Sequence, residues 1–301
     1  MPRPPSAHHT ALFDGAIRHA AYPALALGTL AYLAHELSGP RAALGSHYGA
    51  YLLVVILFTM LMETLHPLSR KWRMSRRHVL RRDLPFLALG AATLGASNWV
   101  ATQFVTTHAL SAGVWLADLP LLPGVIASLL VTDFIWYWVH RWSHEGRGPL
   151  GRFLGRVHVA HHLPAQVYVL MHAIGHPLNA VIVRAILTVP PFLLGFSPEV
   201  AFTASVITGL QGLVSHWNVD SRTGWLNRVL IGTELHRFHH AADQAEMGNY
   251  AAVLSIWDQI FGTYVYRPGR VPRALGMDRP ELYPDDTDLR RILMHPFHPG
   301  H

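Results

Sequence analysis

Three short histidine strings fall within one stretch of this chain: HRWSH (His140–His144), HVAHH (His158–His162) and HRFHH (His236–His240). The first sets imidazoles at i and i+4; the other two set them at i, i+3 and i+4. Those positions share a face only on a helix, one turn apart. The spacing therefore predicts three helical segments, each with a stripe of ring nitrogens. His172, His176 and His216 lie between the second and third strings, so 11 of the chain's 22 histidines fall between Asp133 and His240.

Apolar runs set the rest of the architecture. Of 301 residues, 50% are hydrophobic and only 14% charged, with positive mean hydropathy. A soluble domain carries about 25% charged residues, so the deficit indicates a membrane protein. Runs near the ~20 residues needed to cross a bilayer occur at roughly Ala20–Leu37, Ala50–Leu65, Leu84–Val105 and Leu119–Val139. A further stretch, Leu178–Val214, is broken by Pro190, Pro191, Gly195 and Pro198 into a hairpin that enters the membrane and returns. His35, Glu36, Glu63 and His66 close the first two runs and are expected at the interface. Residues 1–15 are Pro-rich and polar at the start and are expected to be irregular, and His8–His9 carry no role.

Between the second and third runs stand Arg70, Lys71, Arg73, Arg76, Arg77, Arg81 and Arg82. A short loop this basic is expected on the cytoplasmic side, against anionic headgroups. The formal charge of +6 resides in such loops and implies no nucleic-acid partner. Counting crossings from this loop brings all three histidine strings and His216 to the same cytoplasmic face. The expected fold is all-α: an integral membrane helical bundle with four to six membrane-embedded helices and a cytoplasmic, histidine-rich, metal-binding cap. Residues 1–124 hold about three transmembrane helices, 125–265 the histidine-bearing domain, and 266–301 a polar, Pro-rich tail.

The chain has no cysteine. That excludes disulfides, Cys-ligated iron–sulfur clusters, thiolate haem and Cys-type zinc sites. Eight imidazoles are too many polar rings to bury without a purpose, too many ligands for one zinc ion, and suited to two ions. With few acids nearby, a histidine-held di-iron centre fits best. Two irons activate dioxygen and take hydrogen from an unactivated C–H bond, and at a membrane surface the substrate would be an acyl chain, a sterol or an isoprenoid. The alternative is a histidine-rich divalent-metal transporter or metal-binding membrane protein. It would need ligands along a pore at mid-membrane, whereas these strings fall at the ends of the runs. HRFHH lacks the glutamate of an HExxH zinc hydrolase.

The string D-F-I-W-Y-W-V-H-R-W-S-H (Asp133–His144) resembles the opening motif of the fatty acid hydroxylase/sterol desaturase superfamily. HVAHH, H-P-L-N (His176–Asn179), H-W-N (His216–Asn218), HRFHH, N-Y (Asn249–Tyr250) and W-D-Q-I-F-G-T (Trp257–Thr263) follow in that family's order. The resemblance covers roughly residues 125–265 and implies a catalytic domain: a membrane-bound, di-iron, O2-dependent hydroxylase or desaturase. It implies as metal ligands His140, His144, His158, His161, His162, His236, His239 and His240, with His216 as an additional ligand and His176 at the family's His-Pro position. His172 stands one turn before His176 as neighbour or ligand. Two departures stand out: Ala251 where Asn-Tyr-Gly is usual, and Asp220 where some members have a second histidine. Asp220 is expected to face solvent.

Two residues besides the ligands are expected to serve the catalytic site. Asp133, an acid inside an apolar run, is expected to accept a hydrogen bond from a ligand imidazole and fix its tautomer; Asp258 and Glu234 are weaker candidates for that role. Asn249, with Tyr250, is expected to support the third string. Trp136, Tyr137, Trp138 and Trp142 read as an interfacial aromatic belt. Electrons would come from a separate ferredoxin, flavin reductase or cytochrome. No signal peptide is visible, and the absence of a fused electron-transfer domain fits a bacterial inner membrane.

Overall fold

The computed structural model describes residues 7–108 and 115–298. Its helices are α1 (Ala7–Ser38), α2 (Tyr48–Leu65), α3 (Arg76–His78), α4 (Leu84–Thr107), α5 (Leu121–Glu145), α6 (Gly148–His162), α7 (Pro177–Leu194), α8 (Pro198–Ser215), α9 (Thr233–His239), α10 (Ile256–Ile260) and α11 (Leu289–Met294). A π-helical turn, Val79–Asp83, joins α3 to α4, and a 3-10 segment spans Val169–Ala173. Among the described residues, β-pairing is limited to isolated bridges. The fold is all-α, as the spacing predicts.

Among the described residues, four helical stretches are long and apolar enough to cross a membrane: Tyr48–Leu65, Arg70–Thr107, Leu121–Glu145 and Pro177–Leu194. They expose Leu53, Val54, Leu57, Trp99, Val100, Leu122, Ile126 and Leu193. Apolar surface of this extent belongs against acyl chains, where the helix satisfies its own backbone. α1 contains the run Ala20–Leu37 yet is not among the four. It also corrects the expectation of an irregular segment 1–15. Helix begins at Ala7, because alanines favour it once the prolines at 2, 4 and 5 are passed; residues 1–6 lie outside the described residues. The expected hairpin is α7 and α8, turned at Gly195 in the left-handed region (φ 78°).

α5 is the central helix: it packs on α6, α7 and α8. A cap of α6, the 3-10 segment, α9 and α10 packs on these helices: α6 and α10 on α5, α9 on α8, and the 3-10 segment on α2 and α8. The tail folds onto this cap. Arg82, fully buried, donates to Asp83 Oδ1 at 2.9 Å and also engages Tyr168 and Asp286 of the tail. Ile292 of α11 packs into a core with Phe86, Tyr168, Met171 and Ile174.

Candidate metal centre

Glycines set the approach of the first two histidine segments. Gly146 and Gly148 turn the chain between α5 and α6 with φ of 61° and 66°, values that glycine adopts without a Cβ penalty. α6 then lies close along α5: a Cβ on Gly155 would stand 2.8 Å from the Ser143 carbonyl oxygen. This sets the stripe of His158 and His162 against that of His140 and His144. The third string is anchored from below. The Thr233 hydroxyl donates to the Trp217 carbonyl at 2.8 Å, and the buried Arg237 guanidinium donates to the carbonyls of Val219 (2.5 Å) and Trp217 (3.3 Å). Burial pushes Arg237 down to about 10, so it stays charged at neutral pH.

The result is two groups of ring nitrogens. His140, His144, His158, His162 and His239 form one; His161, His216, His236 and His240 form the other, and within each group the ligand atoms lie within 4.8 Å of one another. The Nε2 atoms meet directly: His140–His158 at 2.9 Å, His158–His162 at 3.0 Å and His162–His239 at 3.1 Å. In the second group His161–His216 stand at 2.9 Å and His216–His236 at 3.0 Å.

The far sides of these rings decide what those contacts mean. The Nδ1–H of His140 donates to the Tyr250 carbonyl (2.6 Å), that of His161 to Ile174 (2.8 Å), that of His216 to Gly212 (2.8 Å) and that of His239 to Gly248 (3.2 Å). His158 Nδ1 faces the Asn179 side-chain oxygen at 3.4 Å. A neutral imidazole carries one proton. With that proton committed to a carbonyl, the facing Nε2 atoms of His161 and His216 each present a lone pair. Lone pairs at 2.9 Å repel unless a cation lies among them, so the donor set fits metal ions. Burial, with neighbouring imidazoles, holds His158, His162, His216, His236, His239 and His240 well below the usual imidazole range, and burial lowers His161. Neutral rings are what metal binding requires.

The family model for fatty acid hydroxylases matches residues 125–263, which include every one of these histidines. Residues 125–263 of this chain are a fatty acid hydroxylase domain. The chain is 33% identical over 177 residues to an ornithine lipid hydroxylase of Rhizobium tropici, covering 58% of this chain and 52% of that protein. It is 31% identical over 160 residues to a Dictyostelium discoideum protein provisionally named a methylsterol monooxygenase, covering 51% and 56%. It is 30% identical over 139 residues to a human alkylglycerol monooxygenase, covering 46% and 30%. The chain spans about half the length, or less, of the curated relatives it matches here. No solved structure matches it.

Within this domain several expected residues stand elsewhere than the sequence suggested. His176 lies outside both groups: its Nδ1 accepts from the Leu178 N–H at 3.1 Å and caps α7, while its Nε2 donates to the Leu293 carbonyl at 3.1 Å. With both nitrogens engaged, it has no lone pair left for a metal. His172 is also outside both groups, its ring 5.6 Å from that of His216. Asp220 is paired with Arg18 (2.8 Å) and Arg222 (2.7 Å), neither ligand nor free in solvent.

Among the described residues, no hydrogen bond joins Asp133 to an imidazole. Its carboxylate accepts the backbone N–H groups of Ala252 (2.7 Å), Val253 (3.2 Å) and Leu254 (2.7 Å). Asp258 accepts those of Tyr250 (2.7 Å) and Ala251 (2.9 Å) and the Thr263 hydroxyl (2.6 Å). Together they fix the loop 250–254, whose Tyr250 carbonyl holds His140. The expected carboxylate-to-imidazole bond is thus replaced by a carboxylate, loop, carbonyl relay. Asn249 is a positive-φ residue (59°) whose amide donates to Leu235 of α9 and to Val265, at 2.9 and 2.8 Å. It steadies the third string through the backbone and lies among no reacting group. Glu234 accepts from Thr223 and Asn227. The aromatic belt is corrected in part: Tyr137 is fully buried with its hydroxyl near Thr263, and Trp136 packs on the His140 ring, centroids 4.8 Å apart.

The sequence reading missed two residues. Arg237 sits inside HRFHH, yet only an arginine buried beside two carbonyls reveals its role. Glu63, expected at the interface, is buried and accepts the N–H groups of Val169 (2.7 Å) and Asn218 (2.8 Å). An acid two residues before the end of an apolar run was the available signal.

Proposed function

We propose that this chain is a membrane-bound, di-iron, O2-dependent oxidoreductase that hydroxylates a C–H bond of a lipid. The observation that carries the reading is the paired set of imidazoles whose ring nitrogens converge, with the Nδ1–H groups of His140, His161, His216 and His239 spent on carbonyls so that their Nε2 lone pairs face inward. His140, His144, His158, His162 and His239 would hold one iron; His161, His216, His236 and His240 would hold the other. His176 and His172 are left out for the geometry given above.

Bound iron would supply dioxygen activation and hydrogen abstraction from an unactivated C–H bond. The chain's own part is to hold nine neutral rings in register and to keep water from them by burial. Hydroxylation balances as one C–H bond and O2, with two electrons and two protons, giving C–OH and water. The electrons are assigned to a separate redox partner, since the chain has no cysteine for a cluster of its own. Hydroxylation is preferred over desaturation because the relatives described are named as a hydroxylase and monooxygenases, and their names point to lipids. The cap is assigned to the cytoplasmic face, where the basic segment Arg70–Arg82 lies close by through Arg82 and Tyr168.

Metal analysis and lipid mass spectrometry of an expressing host under labelled dioxygen test this. Wild type should contain about two irons per chain and should produce a lipid that gains one labelled oxygen atom. His161→Ala should lose both the product and part of the iron. Product made without O2, or full activity with an iron-free protein, would sink the proposal.

A further inference from the structure

Near the C-terminal end of α2 lies a cavity of about 180 Å³ lined by Glu63, Trp72, Arg73, Met74, Tyr168 and Asn218, among others. It sits at the end of the candidate span α2, where the basic segment begins, and Asn218 is two residues from His216. The polar atoms around it are mostly spoken for. The Tyr168 hydroxyl donates to Asp83 at 2.6 Å. The Asn218 amide exchanges hydrogen bonds with the Ser69 backbone at 3.0 and 3.1 Å. Glu63 is the exception. It is 4% exposed, its Oε1 takes the two backbone N–H groups of Val169 and Asn218, and its Oε2 is buried with no hydrogen-bond partner among the described residues.

A buried carboxylate oxygen without a donor is costly, and a cation is the partner that answers it best. Two further residues narrow the choice. Trp72 offers an aromatic surface of the kind that attracts an ammonium. Arg73, exposed and donating from one nitrogen to the Thr64 carbonyl at 3.3 Å, offers a positive charge on the same cavity. A metal ion would find one carboxylate oxygen and a guanidinium. A group that carries an ammonium and an anion a few bonds apart finds a partner for each. Because the cavity opens where a span meets the basic segment, that group is the headgroup of a lipid.

We propose that this cavity binds the zwitterionic headgroup of an amine-bearing lipid, with the ammonium at Glu63 Oε2 and the anion at Arg73. The inference rests on the lipid-hydroxylase reading for what the bound lipid is for, and it names the substrate class: lipids with a primary amine in the headgroup.

Binding is measured without turnover, so it is independent of whether the reaction is the one proposed. The metal-loaded full-length protein is examined by native mass spectrometry with dioleoyl phosphatidylethanolamine, its N-acetyl derivative and phosphatidylglycerol, with and without millimolar ethanolamine. The amine lipid should be retained about ten-fold better than the other two, and Glu63→Gln should abolish that preference, as expected for loss of one charge-assisted contact. Gln keeps an oxygen for the two backbone N–H groups, and an unchanged metal content and melting temperature would show that the fold survives. Should Glu63→Gln fail to fold, Trp72→Leu carries the test, with a few-fold weaker preference expected. Equal retention of the N-acetyl lipid, or an unaltered preference in the variant that folds, overturns the proposal. Binding of ethanolamine without binding of the lipid overturns it as well, by making the cavity a site for a free amine.

Discussion

At the residue scale, Asp133 is the sharpest test of how the centre is held. Its carboxylate supports three backbone N–H groups of the loop that carries the Tyr250 carbonyl. Asp133→Ala leaves those buried donors unpaired, at roughly 1–3 kcal/mol each, so the melting temperature should drop sharply and metal should be lost along with the fold. Asp133→Asn keeps part of the support and should fall between. If Asp133→Ala melts like wild type yet loses metal, the residue acts on a ligand directly and the loop account is wrong. The sequence announced that this acid needed a partner, because an unpaired carboxylate inside an apolar run is expensive. It could not name the partner, which lies 119 to 121 residues away. The same distance hides why His176 fails as a ligand: its second nitrogen is taken by Leu293, 117 residues on.

At the element scale, the α5–α6 contact sets the register of the five-histidine group. Gly155→Val places a side chain where the Ser143 carbonyl oxygen already stands at 2.8 Å from the position of a Cβ. α6 must then move away from α5, at a cost of about 1–3 kcal/mol. His158 and His162 move with it, so iron content should fall toward one ion per chain. Gly28→Ala is the control: nothing lies within 4 Å of a Cβ there, and this helical position should gain up to about 1 kcal/mol. Equal iron content in wild type and Gly155→Val would remove this contact from the account. The helices themselves were legible, because HxxxH and HxxHH fix a helical face and apolar length fixes the spans. The tight crossing was not, since glycines at 151 and 155 read in sequence only as weak helix formers.

For the whole molecule, pH should act through the many neutral imidazoles gathered in the cap. His158, His161, His162, His216, His236, His239 and His240 are all held below the ordinary imidazole range by burial. In the unfolded chain they titrate near 6.5. Above that value neither state takes up protons and stability is flat. Below it the unfolded chain binds protons that the folded cap refuses, so stability falls progressively as pH drops toward the depressed folded values. One such ring contributes about 1.4 kcal/mol of loss by pH 5.5, and several together approach the whole stability of a domain, roughly 5–15 kcal/mol. Metal binding has the same sign, since protons and iron compete for the Nε2 lone pairs. Melting temperature and iron content should therefore be constant from pH 8 to 7 and decline together below about 6.5. A protein that keeps its melting temperature down to pH 5 would mean the rings are paired with acids or solvated. That would contradict a centre whose nearby carboxylates, Asp133, Asp258 and Glu63 among them, accept backbone N–H groups instead.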